Sequence, residues 1–149
     1  MRIYLDNCCY NRPYDDQTYI RIYLDTEAKL HIQGMIKSGE LELVTSFMLE
    51  YENSKNRFSH KRNAIADFME ANESYYVGIE RKTEAKTLAE EIMEHGIKSA
   101  DALHVACAVL AKCDFFITTD DRLLKYQPKE VQIVTPGEFI RKWEAANNE

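Results

Sequence analysis

The sequence predicts a single three-layer α/β/α domain, in which helices cover both faces of a central parallel sheet of about four or five strands. Short apolar, β-prone segments alternate along the chain with segments of helical periodicity, and this alternation is typical of parallel sheets. The 149 residues are about the commonest length of one domain, so we expect one domain over residues 1–149. Hydrophobic residues make up 45% and charged residues 30% of the chain, which is an ordinary globular composition.

Four short apolar segments predict the strands, and they cover residues 2–5, 41–45, 115–118 and 131–134. The first strand ends at Asp6, and the Asn11-Arg12-Pro13 sequence predicts a loop after it. Residues 72–80 have no clear pattern, so the sequence assigns them neither to a strand nor to a helix.

Helical spacing of apolar side chains predicts helices at residues 20–39, from about 46, around 65–69, and at 85–96, 99–112 and from 136 onward. On the first of these helices, Ile20, Leu24 and Ile32 belong to the predicted apolar face. On the second helix, Tyr51 belongs to the predicted apolar face. Ser99 is predicted to cap the helix that it begins.

The longest nearly apolar stretch, residues 102–111, is far shorter than the roughly 20 residues of a membrane-spanning helix. The apolar run at the N-terminus is too short for a signal peptide. The four cysteines form no Cys-x-x-Cys pair, so their spacing predicts no zinc site, and we expect reduced thiols. These observations predict a cytoplasmic protein that does not associate with a membrane.

Three aspartates lie where parallel sheets gather functional groups. Asp6 follows the first predicted strand, Asp120 follows the third, and Asp101 lies in the first turn of the helix that leads to that strand. Hard cations such as Mg²⁺ or Mn²⁺ prefer oxygen ligands, and they can polarise a phosphate and activate water. Each aspartate also has a purely structural interpretation, as a surface residue or as a favourable charge or cap at a helix N-terminus.

The net charge of −6 counts against binding of nucleic acid, because proteins with that function are more often basic. The objection weakens where acids hold a metal ion, since removing four carboxylates from the sum leaves about −2. The charge alone therefore does not exclude a nuclease.

Four segments, taken in order, resemble the PIN-domain family of metal-dependent ribonucleases, which includes the VapC-type toxins of toxin–antitoxin pairs. They are residues 3–7 (IYLDN), residues 44–46 (VTS) with Glu52, residues 99–106 (SADALHVA) and residues 116–120 (FITTD). The resemblance spans about residues 2–135. It implies a PIN-like fold and an endoribonuclease that hydrolyses RNA phosphodiester bonds with Mg²⁺ or Mn²⁺. It also implies a homodimer and an antitoxin protein as partner.

The resemblance implies that four acidic residues hold the metal and serve catalysis, namely Asp6, Glu52, Asp101 and Asp120. Glu50 competes with Glu52 as the second acid. Because residues two apart lie on roughly opposite sides of a helix, only one of them should enter the site. Asp121 competes with Asp120, and the family's Thr-x-Asp pattern, here Thr118-Thr119-Asp120, favours Asp120.

Neutral neighbours are also candidates for the site. Asn7 would hydrogen-bond within it, and Thr118 or Thr119 would orient a carboxylate, although all three suit ordinary turn or strand-end hydrogen bonding. His104 lies three residues after Asp101, so it is either on the same side of the helix or a core histidine with satisfied hydrogen bonds.

One basic stretch stands out in this acidic chain. Residues 53–66 contain no acid and four cations, namely Lys55, Arg57, Lys61 and Arg62. The stretch predicts contacts to RNA phosphates, or else a solvated helix face. Phe58 would stack on a base in the first case and lie in the core in the second. Arg12, in the first loop, is a further RNA-binding candidate.

Two other functions stay open at this point. A PIN-like scaffold would bind RNA or a protein without cleaving, and metal-dependent turnover separates it from a ribonuclease. An α/β phosphatase with an aspartyl nucleophile commonly has Asp-x-Asp after its first strand. The Asp6-Asn7-Cys8 sequence lacks the second acid, so this alternative ranks last.

Overall fold

A computed structural model describes residues 1–147 of the chain, and its centre is a sheet in which every neighbouring pair of strands is parallel. The strands are β1 (Arg2–Leu5), β2 (Glu42–Ser46), β3 (Glu73–Val77), β4 (Phe115–Ile117) and β5 (Gln132–Val134). Their order in the sheet is β3-β2-β1-β4-β5. Together with the helices that flank it, this sheet confirms the predicted fold class.

The helices between the strands are α1 (Asn7–Asn11), α2 (Ile20–Lys37), α3 (Phe47–Ser54), α4 (Ser59–Asn72), α5 (Lys82–Met93), α6 (Ser99–Leu110), α7 (Asp121–Leu124) and α8 (Pro136–Asn147). Two short 3₁₀ turns, Arg12–Tyr14 and Ile79–Arg81, connect elements. Within residues 1–147, none of the helices combines the length and the apolar character that a membrane span requires.

The central strands are short apolar runs because they are buried on both faces. Ile3, Tyr4 and Leu5 of β1 and Phe116 of β4 are completely buried, and Tyr4 stacks on Phe116 with ring centroids 5.2 Å apart. Strands that are covered on both sides read as continuous hydrophobic runs without alternation. These two strands form the middle of the core, and the predicted acids Asp6 and Asp120 follow them.

The chain reverses its direction of travel across the sheet between β1 and β4. It moves outward from β1 to β2 and β3, and then returns past β1 to form β4 and β5. Leu5 pairs with Ile117, and the Asp6 amide donates to the Ile117 carbonyl at 2.9 Å. The C-terminal ends of β1 and β4 therefore lie side by side at a topological switch point, where open α/β sheets bind ligands.

Two elements differ from the sequence-based prediction. The segment without a clear pattern contains β3, an edge strand of which only Val77 is fully buried, so its side chains give little apolar signal. The predicted first loop begins with α1, because the Asp6 carboxylate caps this helix by accepting a hydrogen bond from the Asn7 amide at 2.8 Å. The Asn11-Arg12-Pro13 sequence marks only the end of that helix.

Several predictions about helix faces and caps were wrong. Ile20 and Leu24, predicted on the apolar face of α2, are 70% and 58% exposed. Tyr51 of α3 is also exposed, and Leu49 is buried in its place. Lys98 occupies the N-cap of α6, so Ser99 is the first helical residue and not the cap. Packing against neighbouring elements, and not periodicity alone, decided these faces.

Candidate functional site

Asp6 lies at the end of the central strand and is almost fully buried. One carboxylate oxygen, Oδ1, accepts from the Asn7 amide at 2.8 Å, and the other, Oδ2, accepts from the Thr118 hydroxyl at 2.8 Å. Because Thr118 follows β4, this second hydrogen bond joins the ends of the two central strands. Thr118 thus orients a carboxylate, which is one of the two roles considered for it.

Asp120 and Asp121 point in different directions. The Asp120 amide donates to the Thr118 hydroxyl at 3.1 Å, and its carboxylate caps α7 by accepting from the Arg122 amide at 2.9 Å. Asp121 is exposed and forms an ion pair with Arg21 at 2.9 Å. Asp120 therefore stays beside Asp6, whereas Asp121 belongs to the surface. Thr119 is buried, and its carbonyl oxygen accepts from Arg21 at 2.9 Å.

Asp101 lies in the first turn of α6 and is partly buried. Burial raises the pKa of Asp101, and the negative charges of Asp6 and Asp120 raise it further, with a smaller contribution from Glu52. His104 has the opposite effect on this pKa. The Asp101 carboxylate therefore lies close enough to the other three to be destabilised by their charges.

Glu52 is held in place by a buried histidine. Its Oε1 lies 2.7 Å from Nε2 of His104, and Nδ1 of His104 lies 2.6 Å from the Tyr4 hydroxyl. That hydroxyl also contacts Ser46 Oγ at 2.7 Å, so a chain of hydrogen bonds leads from the core to Glu52. Burial lowers the pKa of His104, but the hydrogen bond to Glu52 and the charge of Asp6 raise it above its ordinary value.

Glu50 faces away from this group of acids. It lines a separate cavity with Arg62, Glu73 and Tyr76. Burial raises the pKa of Tyr76, and the hydrogen bond and charge of Glu50 raise it further. Of the two glutamates, Glu52 and not Glu50 lines the cleft with the aspartates.

All four predicted acids line one cleft of about 370 Å³, and the other residues that line it are Asn7, Cys8, Asn11 and Asp15. The last three of these were not predicted. Cys8 lies two residues after Asp6 and its Sγ is 3.5 Å from Asp6 Oδ2, while Asn11 donates to the Asn7 carbonyl one helical turn away. A helix prediction for residues 7–11 would have identified Cys8 and Asn11.

The acids do not form a preformed metal-binding site. Within the described residues 1–147, no three side chains of His, Cys, Asp or Glu converge closely enough to hold one ion as they stand. Three of the acids instead accept hydrogen bonds from other groups or contact them, Asp6 from Thr118, Glu52 at His104 and Asp120 from the Arg122 amide. The donor set still fits Mg²⁺ or Mn²⁺, because such ions keep several waters and take only one or two carboxylates directly.

The basic stretch forms a surface of cations and aromatic rings. Phe58 is 52% exposed, so the interpretation that placed it in the core was wrong. Lys61 Nζ lies 4.6 Å from the Phe58 ring centroid and 5.3 Å from that of Tyr14, and the Arg57 guanidinium lies 5.2 Å from the Phe58 centroid. Lys55 lies over the exposed Tyr51 ring at 4.7 Å. We call these six side chains the cation–aromatic surface.

The remaining basic candidates have protein partners. Arg62 donates to the Asn56 carbonyl at 3.0 Å, and Arg12 forms ion pairs with Asp15 at 3.1 Å and with Asp25 at 3.3 Å. Their charges are therefore less available to a ligand than those of the cation–aromatic surface. That surface adjoins the acidic cleft, since the Asn56 side chain donates to Asn11, a residue of the cleft, at 3.3 Å.

Comparison with known proteins adds information about the fold. No protein-family model matches the chain, and no curated protein matches it. A chain in the crystal structure of VapBC2 from Rickettsia felis bound to a DNA fragment from their promoter has a similar fold. The TM-score is 0.54, the match covers 89% of this chain and 97% of that chain, and the sequences are 14% identical. This chain therefore has the α/β fold of a VapBC2 component, as the resemblance to the PIN-domain family implied.

Proposed function

We propose that this protein is a divalent-metal-dependent endoribonuclease. The observation that carries the proposal is that carboxylates from four separate elements face one cleft at the topological switch point of a parallel sheet. Charges of one sign that are partly buried and close together are unfavourable on their own, and a bound cation relieves that repulsion. The raised pKa of Asp101, which burial and its acidic neighbours cause, supports the same interpretation.

Asp6, Asp101, Asp120 and Glu52 would hold Mg²⁺ or Mn²⁺, one or two of them directly and the others through bound water. The ion would polarise a phosphate of RNA and lower the pKa of a water molecule that attacks it. Asp6 is the most firmly oriented of the four, because the Thr118 hydroxyl and the Asn7 amide each occupy one of its oxygens. Oδ1 keeps a further lone pair for the ion or for a water molecule, whereas Oδ2 also accepts from Cys8 Sγ at 3.5 Å.

His104 acts in this proposal as a positioning residue for Glu52. Its ring is completely buried and bridges the Tyr4 hydroxyl and the Glu52 carboxylate. Outer hydrogen bonds of this kind fix the orientation of metal-binding side chains. In this proposal His104 is both a buried core residue with satisfied hydrogen bonds and a neighbour of the site that orients Glu52.

The cation–aromatic surface supports RNA as the substrate. Its three cations would contact phosphates, and its exposed rings would stack on unpaired bases, which is how single-stranded nucleic acids are commonly bound. The contact between Asn56 and Asn11 places this surface next to the acids, so a strand bound there would reach the cleft.

We further propose that the protein is the toxin of a toxin–antitoxin pair and that it forms a homodimer. The similar fold of a VapBC2 chain supports this proposal. Exposed apolar side chains at the start of α2 support a protein partner, because such patches commonly mark interaction sites, and they are Tyr19, Ile20, Tyr23 and Leu24. Co-expression with the product of the neighbouring gene tests the pair, and the mass in solution tests the dimer.

The cleavage test compares single-stranded RNAs of several sequences with Mg²⁺, with Mn²⁺ and with chelator. Glu52→Gln and Glu50→Gln form a matched pair, because both change one acid of α3 and only Glu52 lines the cleft. We expect metal-dependent cleavage by the wild type and by Glu50→Gln, and strongly reduced cleavage by Glu52→Gln. Equal loss in both variants would contradict the assignment of Glu52.

A wild type that binds RNA but leaves every substrate intact with either metal would contradict the ribonuclease and support the non-catalytic scaffold. Cleavage that persists in chelator would contradict the role of the metal.

A second prediction concerns the basic stretch. Replacing Lys55, Arg57, Lys61 and Arg62 with alanine should weaken RNA binding and flatten its salt dependence. Each phosphate of a single strand that a cation neutralises contributes about 0.7 to the slope of log affinity against log salt, so the four replacements should reduce that slope by up to about 3. The measurement is affinity over a range of salt concentrations.

The control for this variant removes four exposed cations of other helices, Lys82, Lys86, Arg141 and Lys142, and so changes the net charge equally. Equal effects of the two variants would show that only net charge matters. An unchanged slope in the first variant would identify the stretch as a solvated face.

A further inference from the structure

A lysine without an acidic partner is buried on the side of α2 that faces α1 and α4. Lys29 is only 6% exposed. Its ammonium donates to Gln33 Oε1 at 2.8 Å, and in the part of the chain from residue 1 to residue 147 it takes part in no ion pair. A charged ammonium has three donors, and buried charges are normally paired. This one has donors to spare for an acceptor from outside.

Lys29 lines a cavity of about 230 Å³ whose walls are otherwise mostly apolar and aromatic, with Gln33 as a further polar side chain. The ammonium lies 5.7 Å from the ring centroid of Tyr10 and 5.6 Å from that of Phe68. The other residues that line the cavity are Pro13, Tyr14, Leu30, Gln33, Ala64 and Ile65. The cavity thus combines one positive charge with flat aromatic walls.

The groups that face Lys29 do not neutralise it. Cys9 and Tyr10 of α1 stay uncharged, because burial and neighbouring groups raise the pKa of both. Tyr14 contributes a ring from the 3₁₀ turn, and α4 contributes only uncharged residues. Burial lowers the pKa of Lys29 to about 8, and the positive charge of Lys37 on the same helix adds to this shift.

We propose that this cavity is a binding site for a small carboxylate that carries a compact apolar group. The carboxylate would accept hydrogen bonds from the free donors of Lys29, and the apolar group would lie against the aromatic walls. The site is separate from the acidic cleft, since no residue lines both. It therefore does not depend on the proposed ribonuclease activity.

The charge and size of the cavity select this class of ligand. One carboxylate neutralises one ammonium, whereas a phosphate dianion would leave an uncompensated negative charge among apolar walls, which is unfavourable. The volume of about 230 Å³ corresponds to roughly seven or eight molecules of liquid water. A benzoate-sized ligand fits within it, and a whole nucleotide does not.

Calorimetric or NMR titration with benzoate tests the proposal, with benzamide as a neutral ligand of the same shape and inorganic phosphate as a simple anion. We expect benzoate to bind the wild type at least tenfold more tightly than it binds Lys29→Met, and more tightly than benzamide or phosphate binds the wild type. Lys86→Met is the control, because Lys86 is an exposed lysine of α5, away from the cavity. Its affinity for benzoate should equal that of the wild type.

The pH dependence gives a second readout that needs no variant. Benzoate binds the protonated amine, so its affinity should fall by about tenfold between pH 7 and pH 9 as Lys29 loses its proton. The proposal is overturned if benzoate does not bind the wild type, if Lys29→Met binds it equally well, if benzamide or phosphate matches it, or if its affinity stays constant up to pH 9.

Discussion

Replacing Asp101 with asparagine is expected to reduce metal-dependent RNA cleavage by about 100-fold or more, the scale on which the loss of one electrostatic group acts in an active site. Asparagine keeps the size of the side chain and its place in the first turn of α6, so the fold should persist. The change removes one negative charge from the cleft that Asp101 shares with Asp6 and Asp120. A hard cation is then held less well.

The same variant should be at least as stable as the wild type when no metal is present. Burial and the charges of Asp6 and Asp120 raise the pKa of Asp101, so its ionised form destabilises the folded protein. That penalty grows as the pH rises from the ordinary pKa of the carboxyl to the raised one, and it is fully present above both. The asparagine variant does not carry it.

When metal is added, the wild type should become more stable than Asp101→Asn. An ion that binds only the folded protein raises its melting temperature by mass action, and it should raise that of the wild type more than that of Asp101→Asn. Cleavage and melting temperature, each with Mn²⁺ and with chelator, measure both effects. Asp121→Asn is the control, because Asp121 is an exposed residue paired with Arg21. Wild-type cleavage by a folded Asp101→Asn protein would refute the role of Asp101.

The middle of the sheet could be predicted from the sequence because burial on both faces produces an apolar signal that is independent of partners. β1 and β4 are such strands, and the acids that follow them, Asp6 and Asp120, could be placed at the same edge of the sheet from the topology alone. Glu52 could be preferred to Glu50 only through the family resemblance. Helical geometry implied only that one of the two would face the aspartates, and in the structure Glu52 does so, with its carboxylate against His104.

The parts that could not be predicted depend on contacts between distant segments. Lys29 lies on an otherwise ordinary helix, where a lysine normally indicates the solvent side. Its burial results from packing against Tyr10 and Phe68, which come from two other helices and whose rings lie next to its ammonium. The exposure of Ile20 and Leu24 likewise depends on contacts between distant segments. At this end of α2 the side that packs against the rest of the protein carries polar residues such as Thr26, so the apolar side faces solvent.

Replacing Lys29 with methionine should therefore stabilise the protein by about 2 kcal/mol at pH 7. Burial lowers the pKa of Lys29 from the ordinary 10.5 to about 8, and each unit corresponds to about 1.4 kcal/mol against the charged form. Methionine has a similar length and no charge, so it removes this cost and keeps the contacts with the aromatic rings. The absence of the hydrogen bond to Gln33 offsets about 1 kcal/mol of the gain.

The pH dependence distinguishes this cause from better packing alone. The unfolded chain binds the lysine proton more tightly than the folded protein does, so wild-type stability should rise as the pH rises from about 8 to 10.5. The advantage of Lys29→Met should be largest below pH 8 and shrink across that window. Denaturant unfolding at several pH values measures it, with Lys86→Met as the exposed control that should change little. A Lys29→Met protein that is less stable than the wild type at pH 7, or whose advantage is the same at pH 7 and pH 10, would show that the buried ammonium carries no such penalty.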